Sequence, residues 1–191
     1  MTLDRLPPQN IEAERSVLGS LLIDPNAIIA VSSFLRAEDF HLGDHRDIYA
    51  AMLALHDRRE PIDFVTVCDE LERRERLEAV GGAAYLTSLI NLVPTSIHVE
   101  HYAHIVERTA ILRRLIDAAG EIAALAYQEV DEVDEIIDRA ESILFSVSQR
   151  RVSQSLVPIR QAVDEYFDRI EYLHEHQGET VGLPTGFIDL D

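Results

Sequence analysis

Lysine is absent from this 191-residue chain, and all seventeen basic side chains are arginine. Without lysine there is no Gly-x-x-x-x-Gly-Lys-Ser/Thr phosphate-binding loop and no amine for Schiff-base chemistry. Nucleotide hydrolysis and lysine-based catalysis are therefore not expected of these residues. Cysteine is reduced to Cys68, which cannot form an internal disulfide. Set in Val65-Thr66-Val67-Cys68-Asp69-Glu70-Leu71, with two acids following it, Cys68 reads as a small packed hydrophobe and not as an activated thiolate. No apolar run approaches the roughly 20 residues needed to cross a bilayer. The opening Met1-Thr2-Leu3-Asp4-Arg5-Leu6-Pro7-Pro8 lacks the basic-then-apolar layout of a signal peptide. Together these shortages predict a cytoplasmic protein with no membrane partner.

Positive charge is scarce as well. Thirty-five acids face seventeen bases, for a net charge of −18. Because phosphate contacts supply most of the affinity for nucleic acid, single-stranded DNA is not expected to bind tightly to these residues, although a local patch can depart from the global balance.

What the chain has in quantity is helical periodicity, so the predicted class is all-α. Asn10 caps a first helix with Ile11, Val17, Leu18, Leu21 and Leu22 on its apolar side. Asp24-Pro25 opens a second over roughly 25–33. A third carries Ile48, Met52 and Leu55. Pro61-Ile62-Asp63 caps a fourth with Val67 and Leu71, which Gly81-Gly82 breaks. A fifth runs from about Ala83 to Leu92 and stops before Pro94. Residues 1–95 are predicted to form a compact helical head.

Residues 96–151 read differently. One long helix over about 96–127 carries Leu112, Leu115, Ile116, Ala119, Ile122, Ala123 and Ala126 on a narrow stripe. After an acidic joint, Val133, Ile136, Ile137, Ala140, Ile143, Leu144 and Val147 recur at spacings of three and four. Two such stripes predict a protruding antiparallel helical hairpin with a coiled-coil-like seam. A two-helix hairpin has little interior of its own, so its seam is expected to meet another surface, preferably that of another subunit. Ile136, Ile137, Ala140, Ile143, Leu144 and Val147 are the candidates for self-association.

Residues 152–180 form a polar linker around one amphipathic helix, opened by Pro158. Ile159, Val163, Tyr166 and Ile170 lie on its apolar face and are expected to dock on a neighbouring domain or subunit. The closing string over 181–191, Val181-Gly182-Leu183-Pro184-Thr185-Gly186-Phe187-Ile188-Asp189-Leu190-Asp191, reads as the entrance to a further domain.

Several constellations invite sharper readings. His98, His101 and His104 stand three apart, close enough to share a helical face, and a polar or pH-sensitive face outweighs a metal site there. Glu38-x-x-His41 and Glu171-x-x-His174 match a di-iron spacing, but one falls in an irregular stretch and the other on an isolated helix. The acids from Glu129 to Asp138 lack the glycine and ligand spacing of a calcium loop. Arg113-Arg114 and Arg150-Arg151 could touch DNA, with ion pairing as the plainer role. No catalytic, cofactor-binding or metal-ligating residue is assigned.

The closing Gly-x-Pro-Thr-Gly-Phe-x-x-Leu-Asp string resembles the opening of RecA-like ATPase domains. Further matches are Pro7-Pro8 with Ile11-Glu12-Ala13-Glu14 and Ser16-Val17-Leu18-Gly19; Asp39-Phe40 with His45 and Ile48; and Pro61-Ile62-Asp63 with Thr66. Val80-Gly81-Gly82-Ala83-Ala84-Tyr85-Leu86, Pro94-Thr95 and Tyr102-Ala103-His104-Ile105-Val106 continue the series. In order and spacing, these residues resemble the N-terminal part of DnaB-type replicative helicases. His98 and His101 depart from that pattern. The resemblance implies a head, a hairpin that pairs between subunits into a three-fold collar on a hexamer, and a linker helix. A separate motor would use ATP and Mg²⁺, engage single-stranded DNA and unwind the duplex. It further implies docking of a DnaG-type primase, with Tyr85, Ile116 and Ile122 at matching positions, and a helicase loader as another partner. The rival readings are a helical adaptor from another RecA-like ATPase and a free-standing carboxylate enzyme.

Overall fold

A computed structural model describes residues 6–93, 95–128 and 133–152. The expected linker helix, with Ile159, Val163, Tyr166 and Ile170, and the closing string lie outside the described residues. Among the described residues there are helices and no strands: α1 (Ile11–Ile23), α2 (Ala27–Val31), α3 (Gly43–Asp57), α4 (Phe64–Arg73), α5 (Gly82–Leu92), α6 (Val99–Gln128) and α7 (Val133–Val152). A single 3-10 turn, Ala37–Asp39, precedes α3.

Local chemistry accounts for the starts of α1, α4 and α5. The Asn10 side chain accepts a hydrogen bond from the Ala13 N–H at 3.0 Å, satisfying a donor that the first turn leaves orphaned. Asp63 accepts from the N–H groups of Val65 and Thr66, and the Thr66 hydroxyl accepts from the Asp63 N–H. At α5 the backbone at Gly81 has φ +93°, a conformation that L side chains rarely adopt.

The ends of α3 and α4 follow a different rule. α4 stops at Arg73, well before the glycines expected to break it. Glu75 takes a left-handed conformation, and the Arg76 N–H reaches back to the Leu71 carbonyl at 2.8 Å. Arg59 closes α3 in the same way, with the Glu60 N–H donating to the Leu55 carbonyl at 2.9 Å.

Val17, Leu18 and Leu21 of α1 lie at the centre of the core, with Ile28, Val31, Leu35, Phe40, Ile48, Tyr49, Met52, Val67, Leu71, Leu86 and Leu89 around them. The first turns of α6 complete this core through Val99, Ala103 and Val106. One continuous helix thus begins as part of the head and continues, over a total of 30 residues, into the hairpin. At 1.5 Å per residue it is about 45 Å long.

Candidate functional site

Two features of this fold bear on function: the open face of the hairpin, and a buried polar cluster beneath Tyr85.

In the hairpin, α7 packs along α6. At 100° per residue, Ala118, Ile122 and Leu125 fall within about 60° of one another on α6. These are the more enclosed apolar side chains of its outer half. On α7 the corresponding half-buried set is Ile136, Ala140, Ile143 and Val147. The remaining apolar residues stay exposed. Leu112, Leu115, Ile116, Ala119, Ala123 and Ala126 occupy a contiguous arc of about 100° beside the α6 seam. Val133, Ile137 and Leu144 border the α7 seam, with Ile137 49% and Leu144 54% exposed. The six self-association candidates therefore split: four line the seam within the hairpin, and Ile137 and Leu144 face outward. Ile116 (56% exposed) and Ile122 split likewise, the first on the open arc and the second half-buried in the seam.

Arg113 and Arg114, considered above for DNA contact, are both bound to the head. Arg113 donates to the carbonyls of Pro8 (2.8 Å) and Asp39. Arg114 lies 3.1 Å from the Asp39 carboxylate. Burial pushes the Asp39 carboxyl up, opposed by the Arg36 N–H and by Arg114. The pair anchors α6 where it leaves the head. The side chains of Arg150 and Arg151 are outside the described residues.

Beneath α5, Glu14 and His45 are both buried. The Glu14 carboxylate lies 2.7 Å from His45 Nδ1 and accepts from the N–H groups of His41 (2.6 Å) and Leu42 (3.4 Å). Burial alone would raise the Glu14 pKa, but the hydrogen bonds from His45, His41 and Leu42 outweigh it and hold the carboxyl below its usual range. His45 Nε2 lies 2.7 Å from the Tyr85 hydroxyl. The Arg15 Nε–H donates to that hydroxyl over 3.4 Å, and the guanidinium stands 5.7 Å from the ring centroid. Tyr85 is half-buried: its hydroxyl ends in this network, and Ala84 and Ser88, its neighbours on α5, are exposed. The sequence reading missed the network, although a signal existed. Glu14 stands three and four residues before Val17 and Leu18, on the apolar side of α1.

A second buried carboxylate, Glu70, binds three guanidinium groups: Arg58 at 2.7 Å, Arg73 at 2.6 Å and Arg74 at 2.6 Å. The Arg58 hydrogen bond, supported by Arg73 and Arg74, lowers its pKa to about 2 against the cost of burial. A depressed folded-state pKa stabilises above the unfolded value near 4.5 and is lost as the pH falls toward 2. Glu70→Gln is accordingly expected to flatten the acid limb of the stability curve between pH 4.5 and pH 2. The effect should be on the order of 1 kcal/mol, because the arginines remain in contact with water. Circular dichroism melts across that range provide the measurement, and an unchanged limb refutes the assignment.

The other candidates have ordinary surroundings. Cys68 is half-buried, and burial pushes its thiol up. His104 stacks on Phe34 with ring centroids 4.2 Å apart and pairs with Glu107, while His98 and His101 are exposed. Among the described residues, no group of three or more His, Cys, Asp or Glu side chains is placed to hold a metal ion. No described helix is long and apolar enough to cross a membrane.

Comparison with known proteins places this architecture. Residues 6–108 match the family model described as the DnaB-like helicase N terminal domain. The replicative DNA helicase DnaC of Bacillus subtilis (strain 168) is 46% identical over 188 residues, which cover 98% of this chain and 41% of that protein. The crystal structure of the N-terminal domain of DnaB helicase from Mycobacterium tuberculosis has a TM-score of 0.71 and 43% identity, covering 74% of this chain and 99% of that one. A solved DnaB-like replicative helicase, described together with its interactions with primase, has a TM-score of 0.68 at 27% identity and covers 95% of this chain and 39% of that one. The chain thus spans well under half the length of the helicase relatives it matches. With its head, its long shared helix and its hairpin all accounted for in these comparisons, the chain belongs to the DnaB-like replicative helicase family, in the region of the N-terminal domain.

Proposed function

We propose that this chain is the assembly and primase-recruiting N-terminal region of a hexameric replicative DNA helicase. The observation that carries the reading is the open apolar arc of the hairpin, which a helix pair cannot bury by itself and which suits a second copy. Paired hairpins would build the three-fold collar, with the partner's arc covering Ile137 and Leu144. A motor domain beyond the described residues would bind ATP and Mg²⁺, engage single-stranded DNA and unwind the fork. A helicase loader is a further partner of the assembly. Primase is favoured as the recruited protein because a solved relative is described with that interaction. Tyr85 at the edge of α5, Ile116 on the open arc and Ile122 at the seam are the proposed contacts.

Titration calorimetry of the chain with the C-terminal domain of its cognate primase tests this. At least one of Tyr85→Ala, Ile116→Ala and Ile122→Ala is expected to weaken binding about tenfold, the effect of losing roughly 1.4 kcal/mol at a binding centre. Three folded variants with wild-type affinity would remove these residues from the docking surface.

A further inference from the structure

We infer that Glu14 and His45, neither of which reaches the surface, are positioning residues for Tyr85: a directional hydrogen-bond relay from the interior of the head holds the Tyr85 hydroxyl and thereby sets the half-buried ring that Tyr85 presents on α5. The inference rests on the proposed role of Tyr85 in primase docking and identifies what that contact depends on.

The direction of the relay follows from its fixed end. Glu14 receives two backbone N–H groups from the stretch between the 3-10 turn and α3, so its carboxylate acts only as an acceptor. His45 Nδ1, 2.7 Å away, must therefore donate to it. In the neutral ring this leaves Nε2 as an acceptor, and the Tyr85 O–H at 2.7 Å donates to it. The free lone pairs of the Tyr85 oxygen then face Arg15, whose Nε–H donates to them while its guanidinium stands over the ring. Every donor in the series points inward, from Arg15 to Tyr85 to His45 to Glu14. The charged groups around His45 come from each packed element. Glu14 and Arg15 are on α1, Arg46 is on α3 beside it, and Arg113 on α6 is close enough to Glu14 and Arg46 to feel both charges. The His45 ring also meets Phe40 in a T-shaped arrangement, with centroids 6.5 Å apart.

Glu14→Gln reverses the relay with almost no change in shape. The amide oxygen still accepts from the His41 N–H, but the amide nitrogen, which can no longer accept from the Leu42 N–H, now donates to Nδ1. The ring proton moves to Nε2 and donates to the Tyr85 oxygen, which must turn its own proton outward. Tyr85→Phe keeps the ring and removes the hydroxyl. Each variant is expected to bind the primase C-terminal domain three- to tenfold more weakly than the wild type. In the Tyr85→Phe background, adding Glu14→Gln is expected to change affinity by less than twofold, because the hydroxyl it acts through is gone. A residue that merely supports the fold shows no such non-additivity.

Nitrogen-15 spectra of His45 at pH 8 provide the second readout, with the proton on Nδ1 in the wild type and on Nε2 in Glu14→Gln. Wild-type affinity in both Glu14→Gln and Tyr85→Phe, additive losses in the double variant, or a doubly protonated ring in the wild type each overturn the inference. Tyr85→Ala separates its failure from that of the docking reading: if Tyr85→Ala binds normally the docking role is wrong, and if only Tyr85→Ala binds weakly the relay is wrong. Should Glu14→Gln fail to fold, Tyr85→Phe at wild-type affinity still overturns the inference.

Discussion

Gly19→Ala is expected to lower the melting temperature of the chain by roughly 6–12 °C, the shift that about 3 kcal/mol produces in a domain of this size. Gly19 lies in the second half of α1 against α5, where a Cβ would stand 2.3 Å from the Leu89 carbonyl oxygen and 2.9 Å from Val93 Cγ2. The closest atom is backbone, so no rotamer change relieves the overlap. Either α1 and α5 separate, opening the core around Leu18 and Leu86, or Leu89 gives up its place in the helical ladder. Gly120→Ala is the control with the opposite sign. Nothing lies within 4 Å of a Cβ there, and an exposed glycine inside a helix costs about 0.5–1 kcal/mol relative to alanine. Thermal melts of both variants should therefore diverge from the wild type in opposite directions. A Gly19→Ala melt within 2 °C of wild type would show that α1 and α5 are not packed this closely.

The second large effect concerns self-association. Ile137→Asp and Leu144→Asp are each expected to weaken it by about 100-fold or more, since an unpaired carboxylate buried in an apolar interface costs several kcal/mol. The distinguishing comparison is Ile143→Asp. Ile143 is turned to the seam of its own hairpin, so its charge should loosen α7 from α6 and reduce helicity as well as mass. Ile137 and Leu144 face outward, and their variants should keep full helicity while the assembly shrinks. Analytical ultracentrifugation with far-ultraviolet circular dichroism reads both quantities. Unchanged mass for Ile137→Asp and Leu144→Asp would move the subunit contact away from this arc.

How much was legible in the chain depended on whether the signal was local. The first helix announced itself through Asn10 and the fourth through Asp63, because capping uses atoms within three residues of one another. The ends of α3 and α4 did not, because Arg59 and Glu75 adopt the left-handed conformation that usually marks glycine. The hairpin stripe was visible as a repeat, yet its division was not. Periodicity places Ile136 beside Ile137 in one repeat and sets Ile116 and Ile122 about 240° apart around α6, and only the packing of α7 on α6 decides which member of each pair is enclosed. The core also draws on α6, which begins at Val99 and contributes Val99, Ala103 and Val106 to it. Residue types near Arg113 and Arg114 allowed a DNA contact, and their partners at Pro8 and Asp39 come from distant parts of the chain.

The amino-acid pattern by itself determined that this protein is helical, where its first and fourth helices begin, that its outer part is a hairpin and that it resembles the replicative helicases. These follow from 3.6-residue periodicity, caps and motif order, all of which are written in short stretches of sequence. Only the tertiary structure decided that Glu14, His45 and Tyr85 form one network, for they are 31 and 40 residues apart and belong to three different helices. A buried carboxylate is costly unless partners reach it, and those partners are supplied by the way α1, α3 and α5 close on one another.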